Sequence, residues 1–301
     1  MILIFCALYP EAEPLIKALE LKQYKENRYY KEYRNPQNDI QLFITGTGIV
    51  NASLAVGYAC GSLQDLDINI HILNFGSCAR ISSKIQMPYA DMYICNKLVN
   101  LDSQRTFYPD MLIQTDIPEA TIYTAGKVYT KDTDQDNLIN QCSDGFNASN
   151  RVIRENLLYD MEAAAVYEAG AHFLGPDRMH FLKFVTDEGE GIITPEFIKV
   201  QASRVLTPLL DYIESLKACV QMGDSFDEAI VEDAKMLAGL LHASVTMEAQ
   251  IMQLFRYAYA ANIDYKSVIS GLIKEGKLPC KDKRAGLKIL NEIKENRIYN
   301  E

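Results

Sequence analysis

The spacing of apolar residues follows one rule over about the first 215 residues and another after residue 221. In the first stretch, short apolar runs alternate with longer segments of mixed character. Ile2–Ala7, Ile40–Thr45, Ile70–Phe75, Met92–Asn96, Thr121–Thr124 and Met179–Thr186 have the length and composition of strands. Between them lie helix-like stretches: Pro10–Leu21, Val50–Leu63, Asp160–Phe173 and Pro195–Val220. The alternation predicts an α/β domain, a mixed central sheet flanked by helices. Ligands of such sheets collect at strand ends and in the loops that follow. The least ordinary sequences fall there: YPEAE after the first run, TGTG after the second, GSCAR after the third and TDEGEG after the last.

Beyond Gln221 no strand-like run appears. One stripe of apolar residues follows Ile230, Ala234, Leu237, Leu241 and Val245, and a second follows Leu240, Met247, Ile251, Leu254, Ala258 and Ala261. Spacings of three and four indicate amphipathic helix, and two overlapping stripes indicate burial on more than one side. Ser225 with Glu228 three residues later has the form of a capping box. The tail KLPCKDKRAGLKILNEIKENRIYNE is basic, with another short helical stripe. Residues 1–220 are therefore expected to form the α/β domain and 221–301 an all-α C-terminal module. That module suits a bundle packed on the α/β domain or on another subunit, with a platform for a protein partner as the alternative.

Composition narrows the function classes. A net charge of −10 over 301 residues argues against nucleic acid as the main partner, since phosphate binding needs clustered Lys and Arg. It is compatible with a small neutral or zwitterionic substrate. Seven cysteines contain no C-x-x-C pair, and His71, His172, His180 and His242 form no ligand spacing, so no disulfide framework, metal or other cofactor is expected. The N-terminal MILIFCALYPEAEPL lacks a basic leader and no run reaches membrane-spanning length. The expected setting is cytoplasmic, where the NAS sequons at 51–53 and 147–149 carry no meaning.

Five stretches carry candidate chemistry. TGTGIVNASLAVG (45–57) places two glycines between a strand and a helix, where the backbone can approach a ligand. It fails as a dinucleotide fingerprint, because Asn51 stands where the third glycine belongs. NFGSCAR (74–80) offers the backbone and hydroxyl of Gly76-Ser77 to an anion or a water, while Cys78 has no histidine in a partnering motif. YPEAE (9–13) and KFVTDEGEG (183–191) place Glu11, Glu13 and Asp187 at strand ends. LLYDMEAAAVYEAG (157–170) sets Asp160 and Glu162 at the head of an alanine-rich segment. Acids there fit a helix start in the field of its dipole, or a carboxylate held half-buried to grip a ligand.

In sequence order, these are a strand-ending Glu, a G-x-G turn, N-x-G-S, M-E-A and an apolar strand closing on T-D. That order resembles the purine nucleoside phosphorylase/nucleosidase superfamily, and within it most closely the nucleosidases that hydrolyse 5′-methylthioadenosine and S-adenosylhomocysteine. The resemblance covers roughly residues 1–215; DMEAAA followed by FVTD is its most specific part. It implies that Glu162 grips the ribose hydroxyls with Met161 packed on the sugar. Such contacts are charge-assisted and can also support positive charge on the sugar as the bond breaks. It implies further that Asp187 protonates N7 of the leaving purine, which requires the carboxyl to be buried enough to hold a proton near neutral pH. Glu11 would deprotonate the attacking water, and Gly76 and Ser77 would hold that water. Asp160 is then a helix-start residue.

Lys183 stands where the nucleosidases carry an arginine, and would orient Glu11 or the water with less geometric control. Tyr129 or Val128 would stack on the base. Tyr108, in RTFYPDM (105–111), would touch the sugar or its 5′-substituent from a loop that can reach a neighbouring subunit's site. The resemblance also implies a homodimer or higher homo-oligomer and a purine nucleoside as ligand, with adenine favoured by Asp187 in place of asparagine. The turn Gly76-Ser77-Cys78-Ala79-Arg80 is bulkier than the family's glycine-rich form. No cation stands in YPEAE or immediately before Gly76, and a carboxylate would repel phosphate. Hydrolysis is therefore the expectation, with Arg80 as the residue that would favour phosphorolysis. A catalytically weak nucleoside sensor acting through its helical module is the other alternative.

Overall fold

The first strand, β1 (Ile2–Cys6), is buried at every position, as a central strand covered on both faces must be. It pairs in parallel with β4 (Ile40–Ile44) on one side and with β5 (His71–Arg80) on the other. Its side chains divide by period two. Ile2, Ile4 and Cys6 join one apolar layer, and Leu3 and Phe5 join the opposite one. Each fully buried Ile, Leu or Phe in these layers contributes about 1.5–3 kcal/mol relative to exposure.

The structure is a computed structural model that describes residues 1–63, 69–81, 90–131, 156–190, 193–260 and 263–293. The chain divides into two compact units, Met1–Val220 and Gln221–Glu301. In the first unit the sheet continues from β4 through β3 (Lys31–Arg34) to β2 (Lys22–Gln23), both antiparallel. On its other side, β5 pairs in parallel with β10 (Met179–Asp187) and antiparallel with β9 (Leu157–Asp160). β10 runs antiparallel to β6 (Met92–Asn100), β6 parallel to β8 (Glu119–Thr124), and β8 parallel to β9. These pairings close a five-strand ring, β5–β10–β6–β8–β9 and back to β5. A short strand, β7 (Arg105–Phe107), adds to β6.

One face of the sheet is covered by α1 (Tyr9–Ala18), α4 (Pro195–Arg204) and the start of α5 (Leu206–Leu241), through Leu15, Ile198, Leu209, Ile213 and Leu216. The other is covered by α2 (Ile49–Ser62) and α3 (Ala163–Gly170). These two helices bring alanines to the layer, Ala52, Ala55 and Ala59 with Ala163, Ala164 and Ala165. Small side chains on both helices permit close approach.

Several boundaries differ from the sequence expectation. Leu157–Asp160 is a strand, and the helix that follows begins at Ala163, because Asp160 is needed to complete the β8–β9 pairing at Thr124. The helix expected over Pro195–Val220 breaks at Val205, and Pro208 falls in the first turn of the next helix, where a missing N–H costs nothing. No helix starts at Ser225, since α5 runs unbroken from Leu206 to Leu241.

In the second unit, α6 (Val245–Ala260), α7 (Tyr265–Lys274) and α8 (Lys283–Ile293) share a core with the last turns of α5. Leu237, Leu241, Ile251, Leu254, Phe255, Leu272 and Leu290 form its centre. Gly286 of α8 is required: a Cβ there would lie 1.8 Å from the carbonyl oxygen of Leu241. Ala261, Cys142, Gly191, the 147–149 sequon and 294–301 of the basic tail lie outside the described residues. Among those described, no helix is long and apolar enough to cross a membrane.

Candidate active site

Glu11 enters from the first turn of α1, directly after β1. Its carboxylate turns back into the protein, with Oε2 accepting the N–H of Leu8 (2.9 Å) and Oε1 accepting both the N–H and the hydroxyl of Ser77 (2.9 and 2.6 Å). The residue is 2% exposed. Gly76 leaves the carboxylate uncrowded, since a Cβ there would stand 3.4 Å from both of its oxygens. A helix start, a strand and a glycine thus fix one acid against one hydroxyl. Among the described residues no Lys, Arg or His forms an ion pair with Glu11.

Glu162 occupies the N-cap position of α3. Its Oε1 accepts the N–H of Gly48 at 2.7 Å, where the glycine turn after β4 opens α2. Gly48 has φ 95° and ψ 161°, a conformation available essentially to glycine alone. Burial pushes the Glu162 carboxyl up to about 7, and the neighbouring Asp160 charge adds to this. Lys183 and the Gly48 N–H pull in the other direction, and Glu11 adds a further push upward. Met161, beside it, is half-buried.

Asp160 and Lys183 are each 1% exposed in their side chains and meet at 2.8 Å. Lys183 therefore pairs with Asp160 and not with Glu11, one of the two partners, Glu11 or the water, that the sequence suggested. Strand alternation explains the difference. Leu182 and Phe184 face the α1 layer, whereas Phe181 and Val185 face the α3 layer and take Lys183 with them. Asp160 also accepts the hydroxyl of Thr124 at 2.6 Å and the N–H of Ala163 at 2.8 Å. It does cap the helix start, as its place in the sequence suggested, but it is also half of a buried ion pair. Burial alone would lower the Lys183 pKa; the charges of Asp160 and Glu162, with the hydrogen bond to Asp160, more than offset it and hold the amine protonated.

Asp187 ends β10, just past an irregularity in its pairing with β5 between Val185 and Asp187. Irregularities of this kind re-aim side chains beside functional sites. Its Oδ1 accepts the N–H of Gly189 at 2.6 Å and its Oδ2 the hydroxyl of Thr186 at 2.9 Å. Asp187 is half-buried, at the open end of the strand. Tyr129 is 5% exposed and packs on Tyr159, ring centroids 5.1 Å apart. A Cβ on Gly189 would lie 2.5 Å from two Tyr129 ring carbons, so the ring lies close against the turn that holds Asp187. Val128 is 72% exposed.

Tyr108 is 61% exposed. It follows β7, which is anchored on α3 by Arg105–Glu168 at 2.9 Å and by Phe107 stacked on Tyr167. The structure thus gathers Glu11, Gly76 and Ser77 in one cluster and Glu162 with Gly48, Asp160 and Lys183 in another. Thr124 and Gly48 were not singled out by the sequence as partners of these acids. Thr124 has no local signal at all; Gly48 had one, as the second glycine of TGTG.

No family model matches the chain, and no curated protein matches it in sequence. Solved structures do match in fold. A putative 5′-methylthioadenosine/S-adenosylhomocysteine nucleosidase from Borrelia burgdorferi, bound to adenine, superposes with a TM-score of 0.56 at 17% identity, covering 72% of this chain and 100% of that one. The corresponding nucleosidase of S. pneumoniae, with a transition-state inhibitor, gives 0.56 at 17% identity over 71% and 99%. The 5′-methylthioadenosine nucleosidase of Arabidopsis thaliana gives 0.55 at 19% identity over 71% and 94%. The chain has the fold of these nucleosidases.

Proposed function

We propose that the protein hydrolyses the N-glycosidic bond of a purine nucleoside, with an adenine nucleoside such as 5′-methylthioadenosine or S-adenosylhomocysteine as substrate. The observation that carries the reading is the Glu11–Ser77 pair. A buried carboxylate, fixed by three donors from Leu8 and Ser77, is pre-organised to take a proton from a water held at the Ser77 turn. Glu162 binds the ribose hydroxyls through its remaining acceptor capacity while Gly48 anchors one oxygen. Met161 lies against the sugar, Asp187 delivers a proton to the departing base, and Tyr129 forms part of the wall beside it. Tyr108 contacts the 5′-substituent from the loop after β7.

Phosphorolysis is disfavoured by the same pair, since a phosphate dianion would face Glu11 at the water position. Arg80 does not relieve this. It stands two residues beyond Cys78, whose side chain packs in the α2–α3 layer, so alternation places Arg80 on that face and not with Ser77. A second copy of the chain suits the outer face of α2, where Val50 and Leu54 are 69% and 59% exposed one helical turn apart. Sedimentation of the intact protein checks that assembly.

The functional test is release of free adenine from 5′-methylthioadenosine with and without phosphate. Release indifferent to phosphate, and lost about 100-fold or more in Glu11→Gln, supports the hydrolase. Release that depends on phosphate makes the protein a phosphorylase. Tight nucleoside binding with no release leaves a sensor.

A further inference from the structure

We propose, resting on the nucleosidase reading, that Asp160 is a positioning residue that acts through Lys183 on Glu162, governing both where that carboxylate points and when it is charged. Asp160 accepts from the Thr124 hydroxyl, the Ala163 N–H and the Lys183 ammonium. Thr124 in turn accepts the N–H of Ala164 at 3.1 Å. One carboxylate therefore ties the ends of β8 and β9, the middle of β10 and the first turn of α3 together, and Glu162 is the residue that opens α3. With its acceptors committed and its side chain sealed from solvent, Asp160 is not free to reach a ligand. What it can do is hold Lys183, whose ammonium has no fixed fork geometry and goes where an acceptor draws it.

Among the described residues, the charges of Asp160 on β9, Lys183 on β10 and Glu11 on α1 act on Glu162. α2 carries no Asp, Glu, Lys, Arg or His. The nearby thiols of Cys78 on β5 and Cys95 on β6 are buried, which drives their pKa values up and keeps them neutral. Glu168, further along α3, is taken up by Arg105 and Asn100. Asp160 and Lys183 thus act on Glu162 with opposite sign, and removing either leaves the other's field uncancelled. A cap that merely held the helix start would have no such signed effect.

The test uses the full chain labelled at the glutamate side-chain carboxyl carbon. The Glu162 resonance, assigned by its loss in Glu162→Gln, is followed by NMR from about pH 4 to pH 9, alongside the pH profile of kcat/KM for adenine release. Asp160→Asn is expected to lower the Glu162 midpoint by about one pH unit or more, and Lys183→Gln to raise it by a similar amount. The limb of kcat/KM set by Glu162 should move by the same amounts in the same two directions. Thr124→Val, which removes a hydrogen bond without altering charge, should lower stability and leave the midpoint in place.

Unmoved midpoints, shifts of the same sign in Asp160→Asn and Lys183→Gln, or an equal shift in Thr124→Val would overturn the proposal. If one charge variant does not fold, the direction of the other decides. A wild-type protein that releases no adenine refutes the nucleosidase reading instead, and the NMR midpoints alone then decide whether Asp160 controls Glu162.

Discussion

The backbone N–H of Gly48 lies 2.7 Å from Oε1 of Glu162, although the two residues are 114 positions apart in the chain. One is the start of a helix in a backbone conformation reserved for glycine; the other is the cap of a second helix packed beside it. Gly48→Ala should therefore act on the proposed nucleoside site without a steric clash, since no atom stands within 4 Å of the added Cβ. The strain falls on the backbone, at about 1–3 kcal/mol, and relaxes by moving the N–H away from Glu162. Steady-state kinetics should show KM for the nucleoside raised about tenfold, roughly 1.4 kcal/mol of binding, with a smaller loss in kcat. An unchanged KM would detach Gly48 from the site.

Glu162 itself is held at a cost. Its pKa of about 7 in the folded chain lies above the ordinary 4.5, so the folded form retains a proton that the unfolded form gives up. The destabilisation grows as pH rises from 4.5 to about 7 and is complete above that. Glu162→Gln should raise the melting temperature at pH 8 and change it little at pH 4.5, while reducing turnover. Stability that falls equally at both pH values would contradict this assignment.

Asp187→Asn removes the proposed proton donor; its one amide oxygen still accepts the Gly189 N–H, and its amide NH2 faces the Thr186 hydroxyl, which can turn to accept it. Adenine release should fall about 10²–10⁴-fold, while binding of adenine or of a nucleoside analogue, measured by calorimetry, changes by only a few-fold. Loss of both together would move the acid elsewhere.

At the start of β5 and β10, His71 Nδ1 and His180 Nε2 are 3.1 Å apart, and His180 Nδ1 lies 2.8 Å from the Tyr212 hydroxyl. Burial lowers His71 to about 3, with help from the charges of His180 and Arg178, and lowers His180 to about 4. Both rings are neutral in the folded chain and take up protons on unfolding below the ordinary value of 6.5. Stability is therefore present above pH 6.5 and lost as pH falls toward 4, by about 1.4 kcal/mol per pH unit for each ring. Urea midpoints between about pH 7 and pH 4 should show this slope, and His71→Gln/His180→Gln should flatten it. The same slope in the double variant would put the acid sensitivity in other groups.

What the sequence made legible follows from how each feature is encoded. Ile2–Cys6 and Met179–Val185 are largely apolar runs buried on both faces, and such strands announce themselves locally. Lys31–Arg34 and Leu157–Asp160 do not: one is charged near the sheet edge, and the other ends on an acid that looks like the beginning of the next helix. Glu11, Ser77 and Glu162 were singled out because their order along the chain resembles a known one. The Asp160–Lys183 pair was not. Which face of β10 carries Lys183 depends on how the whole ring of strands closes, and no local spacing records that. Tyr108 and Val128 stand exposed on loops, whose course strand and helix patterning does not record.

The closing of strands β5, β10, β6, β8 and β9 on one another has a consequence for solubility. A sheet offers foreign strands a template wherever a row of amides is left unpaired. By joining its own far side, this sheet uses up a border that an open sheet would have to defend. Along the β4–β3 direction, the border that stays open among the described residues is β2, two residues long, with Lys22 and Gln23 both turned to water. Brevity and a lysine are the ordinary deterrents to strand addition, and here they guard a margin that the fold has already made small.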